Sequence, residues 1–262
     1  MDKIEEDVQL ETLKKVEPKI FIYKQVGNTS LKYYAFKPIG RPKYCVICIH
    51  GGGWTRETPK RLFPHCAYFA KHGALAIAIE YRLIKGDLDV RNCLHDCVDG
   101  LAYIRKYLTA SGYDIPIVAL GDSAGGYLAV CLGTQNILSR IDSNVKKVDY
   151  VVDLNGIVDL TGYWGEYLND ENERKNFSPL YNVSKNDAPV LLIHGLKDSV
   201  VEPQSSKDYA NELMLVGVKN RLIFLPNTEH AFILFEYNQT NQFVFEQLNI
   251  IENYLRTELI ET

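Results

Sequence analysis

The chain has 262 residues, 46% of them hydrophobic, and a formal net charge of −4. This length and apolar content can bury a sizeable core, so we expect one large domain over residues 1–262. Acidic and basic residues are dispersed along the chain, which excludes the basic stripe of a nucleic-acid-binding protein and the polybasic segment of a membrane-surface protein. We expect neither nucleic acid nor a membrane as a partner, and the oligomeric state stays open.

The N-terminal segment, Met1 to Asp7, is acidic and lacks the apolar core of a secretion signal. No apolar run approaches the roughly 20 residues of a membrane span, so we expect a cytoplasmic protein. The cysteines show no zinc-type or redox-type spacing and are predicted to be buried free thiols, without a metal or other cofactor. They are Cys45, Cys48, Cys66, Cys93, Cys97 and Cys131.

Residues 20–37 alternate apolar and polar side chains about Gly27-Asn28, which predicts an antiparallel hairpin at one sheet edge. Beyond the hairpin, short apolar runs alternate with segments of helical length. Such continuous runs are typical of strands covered on both faces, so the chain is predicted to form a mostly parallel central sheet with helices on both faces. The predicted strands are Tyr44–Ile49, Ala74–Ile79, Ile115–Leu120, Tyr150–Leu154, Val190–His194 and Arg221–Leu225.

The predicted helices follow from apolar residues repeating every 3.6 positions. The clearest amphipathic cases are Val90–Leu108 and Phe243–Leu255, and Pro203 begins another helix that runs to about Val216. Residues 155–187 break the alternation because they are polar and irregular yet rich in aromatic side chains. We expect this stretch to be a short cap-like insertion.

Four short segments carry the candidate chemistry. In chain order they are His50-Gly51-Gly52-Gly53-Trp54, Gly121-Asp122-Ser123-Ala124-Gly125-Gly126, Asp198 and His230. A serine between small neighbours at a strand-to-helix turn projects its hydroxyl above the sheet. This pattern predicts Ser123 as a nucleophile. An ordinary helix N-cap serine is the alternative, and it leaves the other segments unexplained.

Asp198 and His230 each follow a predicted strand. A carboxylate at such a position can hold an imidazole in the tautomer that accepts the serine proton. Glu202 and Asp208 compete with Asp198, but both fit solvated positions near a helix start. We therefore expect Ser123, Asp198 and His230 to form a catalytic triad.

The other five histidines are expected to have structural roles. His65, His72 and His95 fall in helical segments. His50 and His194 adjoin the candidate site, where packing or loop anchoring fits them better than proton transfer. Only His230 follows the acid along the chain, which favours it as the base.

Consecutive glycines allow main-chain N–H groups to face a substrate oxygen without obstruction by side chains. The N–H groups of Gly52, Gly53 and Ala124 are therefore predicted to form an oxyanion hole. A phosphate-binding glycine loop is the alternative, but the chain lacks the GxGxxG and GK[ST] signatures at this position.

These motifs, taken with Tyr81-Arg82-Leu83, Ser178-Pro179-Leu180-Tyr181 and the HGLKD and EHAF segments, resemble the hormone-sensitive-lipase-like esterases. Most similar are the short members grouped with bacterial acetyl esterases and acetylxylan or feruloyl esterases. The resemblance runs from about Tyr44 to the C-terminus. It implies an α/β-hydrolase fold and carboxylester hydrolysis by the triad and oxyanion hole named above.

The chain departs from this family pattern in two places. Ile84-Lys85-Gly86 stands where family members commonly have Ala-Pro-Glu, which puts the entry to the next helix in doubt. A long N-terminal cap, as in larger relatives, is not expected, because few residues precede the first predicted strand. The site should therefore be open, with a minimal cap formed by residues 155–187.

The expected activity is that of a serine carboxylesterase acting on short, acetyl-type esters of sugars or phenolic alcohols, including oligosaccharide esters. Trp54, Tyr163 and Trp164 are the expected substrate contacts, since aromatic faces stack on sugar and phenolic rings. The alternative is that the aromatic side chains of 155–187 only pack this insertion onto the sheet. Two other functions stay open: an arylformamidase, which shares the fold and triad, and a non-catalytic ligand-binding relative.

Overall fold

A computed structural model describes residues 3–259, so the first two and last three residues of the predicted 1–262 domain lie outside the described residues. Within that range eight strands form one sheet. They are β1 (Lys19–Val26), β2 (Thr29–Phe36), β3 (Tyr44–Ile49), β4 (Ala74–Ile79), β5 (Ile117–Asp122), β6 (Tyr150–Leu154), β7 (Val190–Gly195) and β8 (Asn220–Leu225).

The strand order across the sheet is β1-β2-β4-β3-β5-β6-β7-β8. β1 and β2 form an antiparallel hairpin at one edge, and β2 is also antiparallel to β4. Every other neighbouring pair is parallel. The predicted mostly parallel sheet with a hairpin at its edge is thereby confirmed.

Helices cover both faces of the sheet, as predicted. They are α1 (Lys3–Lys14), α2 (Phe63–Lys71), α3 (Val90–Ala110), α4 (Ala124–Gly133), α5 (Gln135–Ile141), α6 (Pro203–Leu215) and α7 (Asn241–Leu259). α3, α4, α5 and α6 bury their apolar side chains in one core, and α1, α2 and α7 bury theirs in the other. Successive side chains of a strand point to opposite faces, so in β3 Ile47 joins the first core and Val46 the second.

The start of α3 shows how local sequence determines an element boundary. The Asp89 side chain accepts a hydrogen bond from the N–H of Arg91 at 2.9 Å, and the Asn92 side chain accepts one from the N–H of Asp89 at 2.9 Å. This capping box satisfies N–H groups that have no partner within the helix. The helix therefore begins at Val90, as its periodicity predicts.

The bounds of several elements differ from the sequence prediction. β5 is predicted over Ile115–Leu120 but spans Ile117–Asp122, because Gly121 and Asp122 continue the ladder with β6. The helix α1 was not expected, and its Leu10 and Leu13 are buried in the core shared by α2 and α7.

The 155–187 segment contains short 3₁₀ helices at Tyr163–Tyr167, Glu171–Glu173 and Pro179–Tyr181. The hydroxyl of Tyr127 on α4 donates to the carbonyl of Phe177 at 2.9 Å, which attaches the segment to the helix beneath it. All six cysteines are buried and free, as predicted. Among the described residues, no helix combines the length and apolarity needed to cross a membrane.

Candidate active site

Ser123 stands between β5 and α4 with φ 54° and ψ −120°. A non-glycine residue in this region of backbone space is strained by roughly 1–3 kcal/mol. A hydrogen bond from the Ser123 N–H to the carbonyl of Leu154, at 2.9 Å, holds the turn. A Cβ atom at Gly121 would overlap the carbonyl of Gly125, and one at Gly125 would overlap the carbonyl of Ile49. The two glycines flanking the serine are therefore required by close backbone packing.

The three predicted triad residues are brought into one hydrogen-bonded chain. The Ser123 hydroxyl lies 2.9 Å from Nε2 of His230. The opposite ring nitrogen, Nδ1, lies 2.6 Å from Oδ2 of Asp198. The Asp198 side chain is fully buried, whereas 16% of the His230 side chain is exposed. The ring therefore stands between the buried carboxylate and the open cleft that Ser123 and His230 line.

Asp198 is held by four hydrogen-bond donors. Its Oδ1 accepts from the N–H groups of Val200 and Val201, both at 2.9 Å. Its Oδ2 accepts from His230 and also from Nε2 of His194 at 3.1 Å. Burial alone would raise the pKa of Asp198, but the hydrogen bonds from His194 and His230 and the His230 charge hold it well below its usual range. The carboxylate therefore stays ionised over the range in which an imidazole titrates.

The protonation of His194 follows from its neighbours. Its Nε2 lies 2.9 Å from the carbonyl of Val201, which can only accept, so this nitrogen carries the proton. Nδ1 then accepts from the Ser206 hydroxyl at 2.7 Å. His194 thus anchors the acid-bearing loop, as predicted. The competing acids Glu202 and Asp208 are exposed.

The loops carrying the acid and the base are bound to each other. The N–H of Lys197 donates to the carbonyl of Thr228 at 2.9 Å. A Cβ atom at Gly195 would overlap that same carbonyl, so the two loops pass too closely for any other residue there. The side-chain amide of Asn238 donates to the carbonyl of His230 at 2.6 Å. The position of His230 is therefore determined from both sides of its loop.

Residues 51–53, here called the glycine loop, line the same cleft as Ser123 through Gly52 and Gly53. Their φ angles are 101° and 60°. The N–H of Gly51 is engaged by Oδ1 of Asp122 at 3.0 Å. The N–H groups of Gly52, Gly53 and Ala124 donate to no residue in the described part of the chain. Because Ala124 begins α4, its N–H also lies at the positive end of the helix dipole.

His50 fixes the start of the glycine loop without taking part in the hydrogen-bonded chain. Its ring stacks on Tyr81 with centroids 4.5 Å apart, and the Tyr81 hydroxyl donates to the His50 carbonyl at 2.8 Å. Burial lowers the pKa of His50 to about 4, so the ring is neutral near pH 7. The predicted packing role of His50 fits this geometry.

Trp54 does not lie in the cleft, and its prediction as a substrate contact is wrong. The indole is fully buried. Its N–H donates to the carbonyl of Ala124 at 3.0 Å, and its ring packs edge-on against Tyr127 and Trp164. The backbone of Trp54 has φ 58°. Its side chain thus links the glycine loop to the start of α4 from inside the protein.

Ser123 and His230 open into a cleft of about 700 Å³. Tyr163 and Trp164 line it, and Tyr163 is 74% exposed, so its ring is free to meet a bound molecule. The same two residues also line a neighbouring cavity of about 600 Å³, whose walls include Ile157 and other apolar side chains. In the described range, no group of three or more histidine, cysteine or acidic side chains could hold a metal ion.

Some cleft residues were not anticipated from the sequence. Tyr237 and Asn238 lie in the same loop as His230, and this closeness along the chain was the available signal. Arg61 lies in a polar stretch after the glycine loop, and no local sequence feature distinguishes a cleft residue there from a solvent-exposed one. The unanticipated residues include Arg56, Glu57, Arg61, Glu229, Tyr237 and Asn238.

The chain order Ser, Asp, His, with each residue in the loop or turn that follows the carboxyl end of a parallel strand, is the arrangement that defines an α/β-hydrolase. Over residues 33–213 the sequence matches the model of the family described as BD-FAE. This match covers well over half of the chain, and the chain belongs to that family. The predicted resemblance to the hormone-sensitive-lipase-like esterases is confirmed.

The similar curated proteins and solved structures include esterases. The chain is 25% identical to the probable carboxylic ester hydrolase LipM of Mycobacterium tuberculosis over 71% of this chain and 48% of LipM. It is 24% identical to the esterase LipC of the same organism over 76% of this chain and 56% of LipC. The chain therefore spans about half the length of these relatives.

A solved structure of Thermogutta terrifontis esterase 2, phosphorylated by paraoxon, superposes with a TM-score of 0.83 and 26% identity over 93% of this chain and 96% of that one. Nearly the whole of that esterase is thus matched, and this chain shares its fold.

Proposed function

We propose that the chain is a serine carboxylesterase that works through an acyl group attached to Ser123. One observation carries this proposal. The hydroxyl of Ser123 is hydrogen-bonded to His230 and, through it, to the buried Asp198, at the wall of an open cleft. A hydroxyl is a weak nucleophile unless an adjacent base takes its proton, and this chain of groups supplies the base and its orienting acid.

In the acylation step, Oγ of Ser123 attacks the ester carbonyl carbon while Nε2 of His230 accepts the hydroxyl proton. Asp198 stabilises the resulting imidazolium through the hydrogen bond at Nδ1. The tetrahedral intermediate then collapses, the bond to the alcohol oxygen breaks, and His230 returns the proton to the leaving alcohol. Water repeats the sequence on the acyl-Ser123 ester and releases the carboxylic acid.

The N–H groups of Gly52, Gly53 and Ala124 are proposed to stabilise the oxyanion in both steps. These N–H groups find no acceptor among residues 3–259, which supports this role. Each such donor typically contributes roughly 3–4 kcal/mol to stabilisation of the transition state.

The proposed substrates are esters of short acyl groups, above all acetyl, with sugar or phenolic alcohols. The lining of the cleft supports this class because it is mostly polar and aromatic rather than the continuous apolar wall that a long acyl chain needs. Tyr163 and Trp164 offer flat faces on which a sugar or phenol ring can stack. Small-molecule and oligosaccharide esters are both compatible with an open cleft.

A substrate panel tests the proposal. We expect kcat/KM for p-nitrophenyl esters to fall steeply from acetate to octanoate, and acetylated sugars to be cleaved. Preference for octanoate contradicts the short-acyl class. If N-formylkynurenine is cleaved faster than every ester, the activity is that of an arylformamidase. If no substrate is turned over, the result supports a non-catalytic relative.

Substitution of Trp164 tests the stacking surface. Trp164→Ala should weaken hydrolysis of acetylated sugars more than hydrolysis of a small aryl acetate. Tyr181→Ala is the matched control, because Tyr181 is an exposed aromatic residue of the same segment and does not line the cleft. Equal losses on both substrate types, or the same effect from Tyr181→Ala, contradict a stacking role.

A further inference from the structure

We propose that the cleft contains a subsite for a carboxylate group, with Arg61 as its cation, so that the preferred esters carry a negative charge. This inference rests on the proposed esterase function and specifies the substrate class of the same site. It depends on the position of Arg61, its missing partners and the charges around it.

Arg61 lies in the 3₁₀ helix Pro59–Leu62, which follows the glycine loop. Its side chain lines the same cleft as Ser123 and His230. The guanidinium carbon lies 5.7 Å from the ring centroid of Tyr237, which belongs to the loop that carries the base. The charge is thus held against one aromatic face, within the cleft that holds the nucleophile.

Among the described residues, the guanidinium of Arg61 has no hydrogen-bond acceptor. Its Nε is buried without a hydrogen-bond partner. Within residues 3–259 its side chain forms no ion pair. Two other partly exposed arginines are paired: Arg82 lies 2.7 Å from Asp96, and Arg91 lies 2.7 Å from Asp89.

An unpaired buried N–H is unusual, because losing its hydrogen bonds to water without gaining a protein acceptor costs free energy. In a cleft that binds substrate, a ligand acceptor removes that cost. The planar guanidinium presents parallel N–H groups that match the two oxygens of a carboxylate, and the charge strengthens both hydrogen bonds. Arg61 therefore favours a substrate with a carboxylate over an uncharged one of the same shape.

Apart from the buried Asp122, the other charged residues of the cleft are exposed to solvent. Arg56, Glu57 and Glu229 line it as well, but all three are exposed, so water and salt screen their charges. The nearby Asp122 is buried and already accepts the N–H of Gly51. Arg61 is only partly exposed, so water and salt screen its interaction with a bound anion less than they screen the exposed charges.

Two matched ester pairs test the inference with the purified chain. The first pair compares 4-acetoxybenzoate with the neutral 4-acetoxybenzamide, so the charge lies on the alcohol side of the ester. The second pair compares mono-p-nitrophenyl glutarate with the neutral p-nitrophenyl pentanoate, so the charge lies on the acyl side. We expect the unmodified chain to prefer the charged member of at least one pair. In that pair, Arg61→Gln should lower the ratio of kcat/KM for charged over neutral ester by about tenfold or more. Arg61→Lys should retain part of the preference.

Lys60→Gln is the matched control, because it removes one positive charge from an exposed neighbour that does not line the cleft. Its ratio should equal that of the unmodified chain. An unchanged ratio in Arg61→Gln, or an equal fall in Lys60→Gln, overturns the subsite. If none of the four esters is cleaved, the proposed function itself fails, whereas cleavage without any charge preference overturns only the subsite.

A second measurement keeps the test independent of the folding of Arg61→Gln. 4-Hydroxybenzoate and 4-hydroxybenzamide are compared as inhibitors of ester hydrolysis by the unmodified chain. If the alcohol side carries the charge preference, the benzoate should inhibit at concentrations about tenfold lower. For a preference on the acyl side, glutarate and glutaramide replace them. Equal inhibition within the relevant pair overturns the proposal.

Discussion

Asp198→Asn should reduce turnover by about four orders of magnitude while the chain stays folded. The structure explains why an isosteric change is so severe. Oδ1 of Asp198 accepts two backbone N–H groups, from Val200 and Val201, so the carbonyl oxygen of an asparagine takes that position. Its NH2 group is then directed to where Oδ2 now accepts from His230 and His194.

A donor in that position reverses the tautomer of His230. Nδ1 must then accept a hydrogen bond, which leaves the proton on Nε2, and Nε2 can no longer accept the proton of Ser123. His194 keeps the carbonyl of Val201 as an acceptor for its own proton, so the loop retains one anchor. We therefore expect a catalytic loss far larger than the loss of stability.

Steady-state hydrolysis of p-nitrophenyl acetate, measured beside thermal unfolding, checks this prediction. Asp208→Asn is the control, because Asp208 is exposed on α6 and accepts a hydrogen bond from Gln204 on the same helix, away from the triad. Its turnover should match that of the unmodified chain. A loss below tenfold in Asp198→Asn, or a large loss in Asp208→Asn, refutes the tautomer argument.

Further predictions concern stability and the glycine loop. Burial raises the pKa of Asp153 from 3.8 to about 7. The free energy of unfolding therefore falls by up to about 4 kcal/mol as pH rises between those values. Asp153→Asn should be more stable than the unmodified chain in urea unfolding at pH 8 but not at pH 4. An equal effect at both pH values contradicts this. Gly52→Ala should lower kcat by roughly 10²–10³-fold, because the added Cβ atom would lie 2.5 Å from the carbonyl of Arg56. A near-normal kcat in the folded variant contradicts this prediction. Asp96→Ala should reduce the free energy of unfolding by about 3–5 kcal/mol, because the buried carboxylate pairs with Arg82. A change below about 1 kcal/mol in urea unfolding contradicts this prediction.

Elements that depend on a regular pattern were predictable from the sequence. Continuous apolar runs such as Tyr44–Ile49 predict buried parallel strands, and the structure contains that strand with the same bounds. Parallel strands deliver their carboxyl ends to one edge, which is why Ser123, Asp198 and His230 could be placed together from chain order alone. Their hydrogen-bonded contact fits that expectation, and their catalytic roles remain predictions.

Features that depend on side-chain direction were not predictable. The HGGGW motif places Trp54 next to the glycine loop but does not show that its ring turns inward to the carbonyl of Ala124. α1 was missed because its short apolar face, which includes Leu10, stands in a strongly acidic segment. The place of Arg61 in the cleft depends on how a loop folds against Tyr237, far away in the sequence.

The central claim is that Ser123 is the nucleophile, and covalent labelling with paraoxon tests it most directly. The chain is incubated with paraoxon and digested, and the modified peptide is identified by mass spectrometry while esterase activity is followed in parallel. We predict one diethylphosphoryl group on Ser123, appearing in proportion to the loss of p-nitrophenyl acetate hydrolysis, and neither label nor hydrolysis in Ser123→Ala. Labelling of a different residue in step with inactivation, or normal turnover by Ser123→Ala, would contradict the account.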